Sequence, residues 1–457
     1  MLKKMMSVLP ACAAVFLLLA GCTKSGKTNG KAASGMVDRK AEGKVINFCV
    51  YQDWTKEFVN DYYPQVESIS PDKEYTYLKD GTKIRWIVFN SEEYQEKLDA
   101  LLKKQNSSDP DERVDIMDLE GDYFKKYLEA GVCVPLSDLG ITENDLSQQY
   151  NYTKEAAEKN GKVCAISVEV APGLFAYRRS IAKDVLGTDD PDEVNKALSD
   201  WNRFDEVAKK AHDKGYYMLS GFADAYRVFS NNMKNPWVSD NKTVKVDPAI
   251  MDWIKMTKRY TDAGYNHKST NVFTKEWMQD QGADAKVFGF FYSTWGINFT
   301  LQANAGKEGF GDWAVCKGPM PFYWGASWFA AAKNTDNPEH IRDILLTIAC
   351  NKDVMKKISL ERNTFVNNRE AMSEIAADPN CGSDFLKGQN HIALFNDVAG
   401  SINLKNLGIY DQGCTLDMIY SFADYYLGNS TLDEAKKAFE TAIKERYPNL
   451  TEVVWAE

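Results

Sequence analysis

Residues 114–131 read Val114-Asp115-Ile116-Met117-Asp118-Leu119-Glu120-Gly121-Asp122-Tyr123-Phe124-Lys125-Lys126-Tyr127-Leu128-Glu129-Ala130-Gly131. Val114 to Leu119 is a short strand. From Glu120 to Ala130, Tyr123, Phe124, Tyr127 and Leu128 fall on one helical stripe, and Gly131 is the stop. The same unit recurs upstream. Lys44 to Val50 places Ile46, Phe48 and Val50 on one face, and Thr82 to Phe89 repeats the β-like composition. Ser91 then opens a helix carrying Tyr94, Leu98, Leu101 and Leu102. Strand then helix, repeated, means an α/β fold with mainly parallel sheets and crossover helices.

Downstream the scheme returns. Ser199 or Asp200 caps a helix with Trp201, Phe204, Val207 and Ala211 inward, and Tyr216 to Leu219 follows as a strand. Asp247-Pro248 opens a helix that buries Ile250, Trp253 and Ile254 and stops at Gly264. Lys286 to Phe291 is strand-like. Beyond Pro338 helices dominate, the last one opening on the capping box Thr431-Leu432-Asp433-Glu434. Asp189, Asp190 and Asp192 read as a helix start, since a cation loop would need a glycine there. The 413 residues after Lys44 are too many for one core and suit two.

The first 44 residues are of another kind. Lys3 and Lys4 precede an apolar run, Val8 to Ala20, too short for a membrane span of about 20 apolar residues. It ends in Leu19-Ala20-Gly21-Cys22, which resembles a bacterial lipoprotein signal with Cys22 as the acylated mature N-terminus. Residues 1–21 are then the signal peptide and 22–44 a disordered tether, spanning about 25 Å root-mean-square. That tether carries six basic and two acidic residues, while the body beyond has 47 basic against 63 acidic. A basic leash with an acidic body suits a receptor tethered to anionic lipid and argues against nucleic acid.

Several chemistries leave no mark. There is no GxxxxGK[ST], HExxH, GxSxG or EF-hand loop, and His212, His267, His340 and His391 are not at metal-ligand spacing. Seven cysteines follow the export segment, an odd number without a CxxC pair, so neither a full disulfide framework nor a zinc ribbon is indicated. No metal, cofactor or catalytic residue is expected.

From Gly161-Lys162-Val163-Cys164-Ala165-Ile166 to Leu174-Phe175-Ala176-Tyr177-Arg178-Arg179 the chain resembles the family 1 extracellular solute-binding proteins, the class of maltose-binding protein. Further landmarks keep the family's order: Val114-Asp115-Ile116 (its usual proline missing), Gly131-Val132-Cys133-Val134-Pro135-Leu136, Val287 to Trp295, and Trp324-Gly325-Ala326-Ser327-Trp328 with one glycine replaced. The resemblance implies a two-lobed, type II periplasmic-binding-protein-like fold. Each lobe is a mixed, mainly parallel sheet flanked by helices, and a multi-strand hinge joins them. Expected limits are 45–168 plus 294–331 for lobe one, and 172–291 plus 333–457, with the helical tail, for lobe two. The chain would cross near Ile166–Gly173, Phe290–Trp295 and Ala330–Lys333.

The resemblance also implies function: a monomeric, non-enzymatic, extracytoplasmic lipoprotein on the bacterial cell membrane. It would capture a carbohydrate, an oligosaccharide, and deliver it to the permease subunits of an ABC transporter. The alternatives are a surface glycosidase or lyase and a non-transport sugar sensor or adhesin. A pyranose has apolar faces and a hydroxyl rim, so its site needs aromatic platforms beside Asp, Glu, Asn and Arg. Strand-end positions nominate Gln52, Asp53, Trp54, Glu120, Asp224, Arg227, Trp295, Asn298, Trp324 and Trp328, and the resemblance adds Asn363, in a polar loop after a tail helix where the family often lines the cleft. Asp53 and Glu120 also read as helix caps, and Asp224 with Arg227 as a simple ion pair. Trp86, Trp201, Trp253 and Trp277 read as core.

Overall fold

The computed structural model describes residues 42–456. The strand Val45–Val50 is buried along almost its whole length and holds the middle of a six-stranded sheet. Lys83–Val88 and Ile116–Glu120 flank it in parallel. Direction reverses at the edges: Tyr75–Leu78 and Val66–Ile69 on one side and Ser327–Ala331 on the other pair antiparallel.

The second sheet centres on Gly173–Arg178, buried throughout, between Gly289–Ser293 and Trp313–Cys316, both antiparallel to it. A parallel bridge, Tyr217 to Val287, links it to the parallel pair Leu219–Gly221 and Asn266–Ser269. The fold is the expected two-lobed α/β class, with parallel pairing confined to particular pairs. Gly173–Arg178 carries the chain out from the hinge and its two neighbours carry it back, so these three must run antiparallel.

Two expected boundaries move. The expected limits put 294–331 in lobe one, yet Trp313–Cys316 pairs with Gly173–Arg178, so the chain stays on the second sheet and returns only through 317–327. Trp313–Cys316 is buried on both faces, and its apolar run says nothing about which sheet it joins. The expected limits put the whole tail from 333 in lobe two. Instead, helices Pro338–Ala349 and Lys352–Arg362 pack on helix Trp54–Tyr62 of the first lobe. There Tyr63 Oη donates to Asp343 and Arg362 pairs with Glu57 and Asp61. The later helices lie on the second lobe, His391–Ala399 against Gly173–Arg178. Between the sheets, bridges Ile166–Phe329, Pro172–Tyr323 and Glu169–Val366 form the hinge.

Local signals behave as chemistry dictates. Asp190 accepts the N–H groups of Asp192 and Glu193 ahead of Pro191, Asp200 and Asp247 cap their helices, and the Thr431–Glu434 box closes in both directions. At the helix Tyr94–Lys104, the Asn90 carboxamide accepts the Glu93 N–H, doing the work expected of Ser91. Trp86, Trp253 and Trp277 are buried, and Trp201 stacks on Phe229 at 4.5 Å.

Candidate functional site

The first lobe's face of the interlobe cleft is the end of the strand Ile116–Glu120. Every second residue of the run Asp118-Leu119-Glu120-Gly121-Asp122 is a carboxylate. Asp118 is buried and accepts from Thr55 Oγ1 at 2.5 Å. Burial pushes its pKa up to about 7 against that hydrogen bond. Glu120, half-buried, accepts the Asp122 N–H at 3.0 Å; burial and then the Asp122 charge push it up to about 8. At the hinge Glu169 accepts from Thr364 Oγ1 and is raised by burial to about 7. Tyr51 Oη and Ser327 Oγ share a hydrogen bond of 2.6 Å. Among the described residues, buried Asp118 Oδ1, Tyr123 Oη and Tyr323 Oη have no protein partner. Buried polar atoms rarely stay unpaired, so this floor suits water or a hydroxylated guest.

The opposite face is aromatic. Trp295, half-buried, follows the strand Gly289–Ser293 and donates its Nε1 to Trp324 O at 2.8 Å. Its ring meets Trp324 edge-on at 5.1 Å. A Cβ on Gly325 would lie 2.7 Å from Trp295 Nε1, so only glycine lets the hinge pass the indole; φ there is 89°. Phe273 stacks on Trp295 at 6.2 Å.

Arg227 spans the cleft. From the second lobe its Nη1 and Nη2 reach Asp122 Oδ1 and Oδ2 on the first, at 2.6 and 2.5 Å, with the guanidinium 5.9 Å over the Trp324 ring. Burial works against the charge, but Asp122 outweighs it and the Arg227 pKa rises. Gln95 Nε2 also donates across to Gln412 Oε1 at 3.0 Å. The lobes therefore touch. The cavity between them beside Asp122, Lys125, Arg227 and Asp411 is about 40 Å³, room for water but not for a pyranose.

The nominated residues divide. Glu120, Arg227, Trp295 and Trp324 come together as described. Asn298 and Asn363 meet each other instead: Asn298 Nδ2 donates to Asn363 O at 2.6 Å, and Asn363 Nδ2 to Asn298 Oδ1 at 3.1 Å. Gln52 is half-buried beside Tyr51. Asp53 is exposed, makes no side-chain cap and pairs with Lys56 at 2.7 Å. Trp54 is half-buried, edge-on to Phe58 at 4.7 Å.

Two nominees fail. Trp328 is fully buried, stacked on Phe124 at 4.1 Å and 5° with Nε1 to Thr153 O; on an alternating strand its ring turns to the lobe-one core. Asp224 is buried too, accepting from Gly221 N and Trp277 Nε1, and it leaves Arg227 to Asp122. Cys22 lies outside the described residues. Sequence reasoning missed Asp122 and Phe273. Asp122 stood two residues past Glu120 at the same strand end, a signal that was available.

No group of three His, Cys, Asp or Glu among the described residues is arranged for a metal ion. No described helix is long and apolar enough to cross a membrane.

Residues 72–380 match the model of a family described as bacterial extracellular solute-binding protein. The chain belongs to this family. It is the kind of family that the motifs from Gly161 to Trp328 resemble. Among solved structures, one titled as an extracellular solute-binding protein of family 1 is 16% identical, with 89% of this chain and 100% of that one covered at a TM-score of 0.70. The ABC-transporter binding protein of B. animalis subsp. lactis Bl-04, solved with β-1,6-galactobiose, is 18% identical (90% and 100% covered, TM-score 0.63). The galacto-N-biose/lacto-N-biose I-binding protein of Bifidobacterium longum is 13% identical (89% and 98% covered, TM-score 0.64). At such identities the likeness shows the shared fold of this solute-binding protein. No curated protein matches the chain.

Proposed function

We propose that this solute-binding protein captures a neutral oligosaccharide between its lobes and delivers it to the permease of an ABC importer. One observation carries the reading: an aromatic corner, Trp295 with Trp324, faces a row of carboxyl groups across the Asp122–Arg227 bridge. Flat rings suit the C–H faces of a pyranose. Carboxyls held near or above neutral pKa both donate and accept, as sugar hydroxyls require. Asp122 already neutralises Arg227 through a bidentate pair, which disfavours an anionic guest. Trp54 and the Asn298–Asn363 pair, away from that corner, suit a second ring. Jaws of 45–168 with 327–362 and of 173–316 with 369–456 would open by hinge motion to admit the sugar and close again around it. The sugars named for the two bifidobacterial proteins belong to the same chemical class.

The test is a panel of oligosaccharides against the mature protein. One should raise the melting temperature by several degrees, as about 2.7 kcal/mol of linkage at 100 times Kd requires, and remain uncleaved after long incubation. New reducing ends in proportion to protein would favour a glycosidase instead. We further propose that acylated Cys22 anchors the protein at the cell membrane. Cys22→Ser should appear in the soluble fraction, and full retention on membranes would sink the anchor.

A further inference from the structure

Phe273 occupies a position that the fold alone does not explain. It lies between the strand Asn266–Ser269 and the helix Lys275–Gln279, in a loop following a strand of the second lobe. Its φ is 63°, a region where a bulky L-residue crowds its own backbone. Its ring is 48% exposed. The loop's shape comes from other residues. The Asn271 side chain accepts the Val272 N–H, Asn271 O accepts from Thr274 Oγ1, and that hydroxyl caps the helix at Trp277 N. What Phe273 adds is a ring, 6.2 Å from Trp295 at 27°, 5.9 Å from Trp324, and edge-on to Trp277 at 5.3 Å.

Strained backbone gathers where function over-determines it. A half-exposed ring on a backbone of positive φ, set beside two cleft tryptophans, points the same way. We propose that Phe273 is a specificity-determining residue, the third wall of an aromatic corner, which stacks on the C–H face of a neutral pyranose. The inference rests on the carbohydrate reading above and deepens it.

The test uses the whole mature protein, with maltose, lacto-N-biose and β-1,6-galactobiose as probes. Phe273→Gly relieves the backbone and deletes the ring; Phe273→Tyr keeps the ring. Phe273→Gly should melt no lower than wild type without sugar, yet bind the wild-type protein's preferred probe about tenfold more weakly. Phe273→Tyr should bind within about threefold of wild type. If Phe273→Gly melts clearly lower, the ring is packing and the inference falls. If wild type binds a probe and Phe273→Gly binds it equally, the inference alone falls. If wild type binds none of the three, the carbohydrate reading fails for these sugars and takes the inference with it.

Discussion

The two walls of the cleft are built by the same rule and made of opposite materials. In the first lobe the chain leaves the strand Ile116–Glu120 through Glu120 and Asp122, with Asp118 buried just behind. In the second it leaves Gly289–Ser293 through Trp295, with Phe273 from the next loop over. Strand ends face the cleft in both lobes, so the architecture supplies positions and leaves the chemistry to the residue placed there. Under the proposed function, a polar jaw against an aromatic jaw would grip a ring by its hydroxyls on one side and its C–H face on the other. The lesson extends to tryptophan itself. Trp324 and Trp328 are four residues apart in one motif, yet the first touches the cleft corner and the second is core.

The largest expected effect breaks the comparison at its tryptophans. Trp328→Ala should cost about 3–5 kcal/mol of stability in denaturant melts, because it empties a stacked core site. Trp295→Ala should spare most of the stability and weaken sugar binding by roughly 30-fold on titration. Covering one indole face removes on the order of 80 Å² of apolar surface, worth roughly 2 kcal/mol. Were Trp295→Ala to melt early and bind normally, the aromatic jaw would be core and the contrast between the walls would vanish.

A smaller effect sharpens the acidic side. Asp118 holds its proton up to about pH 7 in the folded protein, whereas an unfolded aspartate loses it near the usual carboxylate range. The folded state thus binds more protons in that window. Stability from this group is complete below the unfolded pKa and is lost as pH rises through 7. Melting temperature should fall from pH 5 to pH 8, with Glu120 and Glu169 contributing in the same sense. Asp118→Asn should flatten the slope by up to about 1.4 kcal/mol per pH unit. An unchanged slope would mean that this carboxyl is solvated and the floor is open.

The smallest lies between the jaws. Ala326, standing where the family pattern has a glycine, sits at φ 74° beside Gly325. Ala326→Gly should therefore stabilise by about 0.5–1 kcal/mol. A loss in chemical melts would show that the Ala326 methyl makes contacts outweighing its strain.

Much of the fold could be read from the sequence because the signals are short. Asp190 with Pro191, Asp247 with Pro248, Thr431 with Glu434, and Gly131 and Gly264 act over three or four residues, and each behaves as its chemistry requires. Family motifs carried the architecture, and strand-end positions found Glu120, Trp295 and Trp324. The misses share one character. Trp313–Cys316 could join either sheet, since its residues are all buried. Trp328 and Trp324 obey the same local pattern, and only the neighbours on each side decide which ring is enclosed.

What the sequence by itself determined is the succession of strands and helices and their caps, which follow from periodicity and from hydrogen bonds between near neighbours. The two-lobed class came from the family motifs and the chain length. Tertiary structure alone decided which sheet each returning strand enters, that Asp224 turns inward to Trp277, and that Arg227 finds Asp122 105 residues away. It also set the exposure of Phe273. Burial and ion pairing depend on which distant surfaces meet, and a side chain's type does not encode its partner.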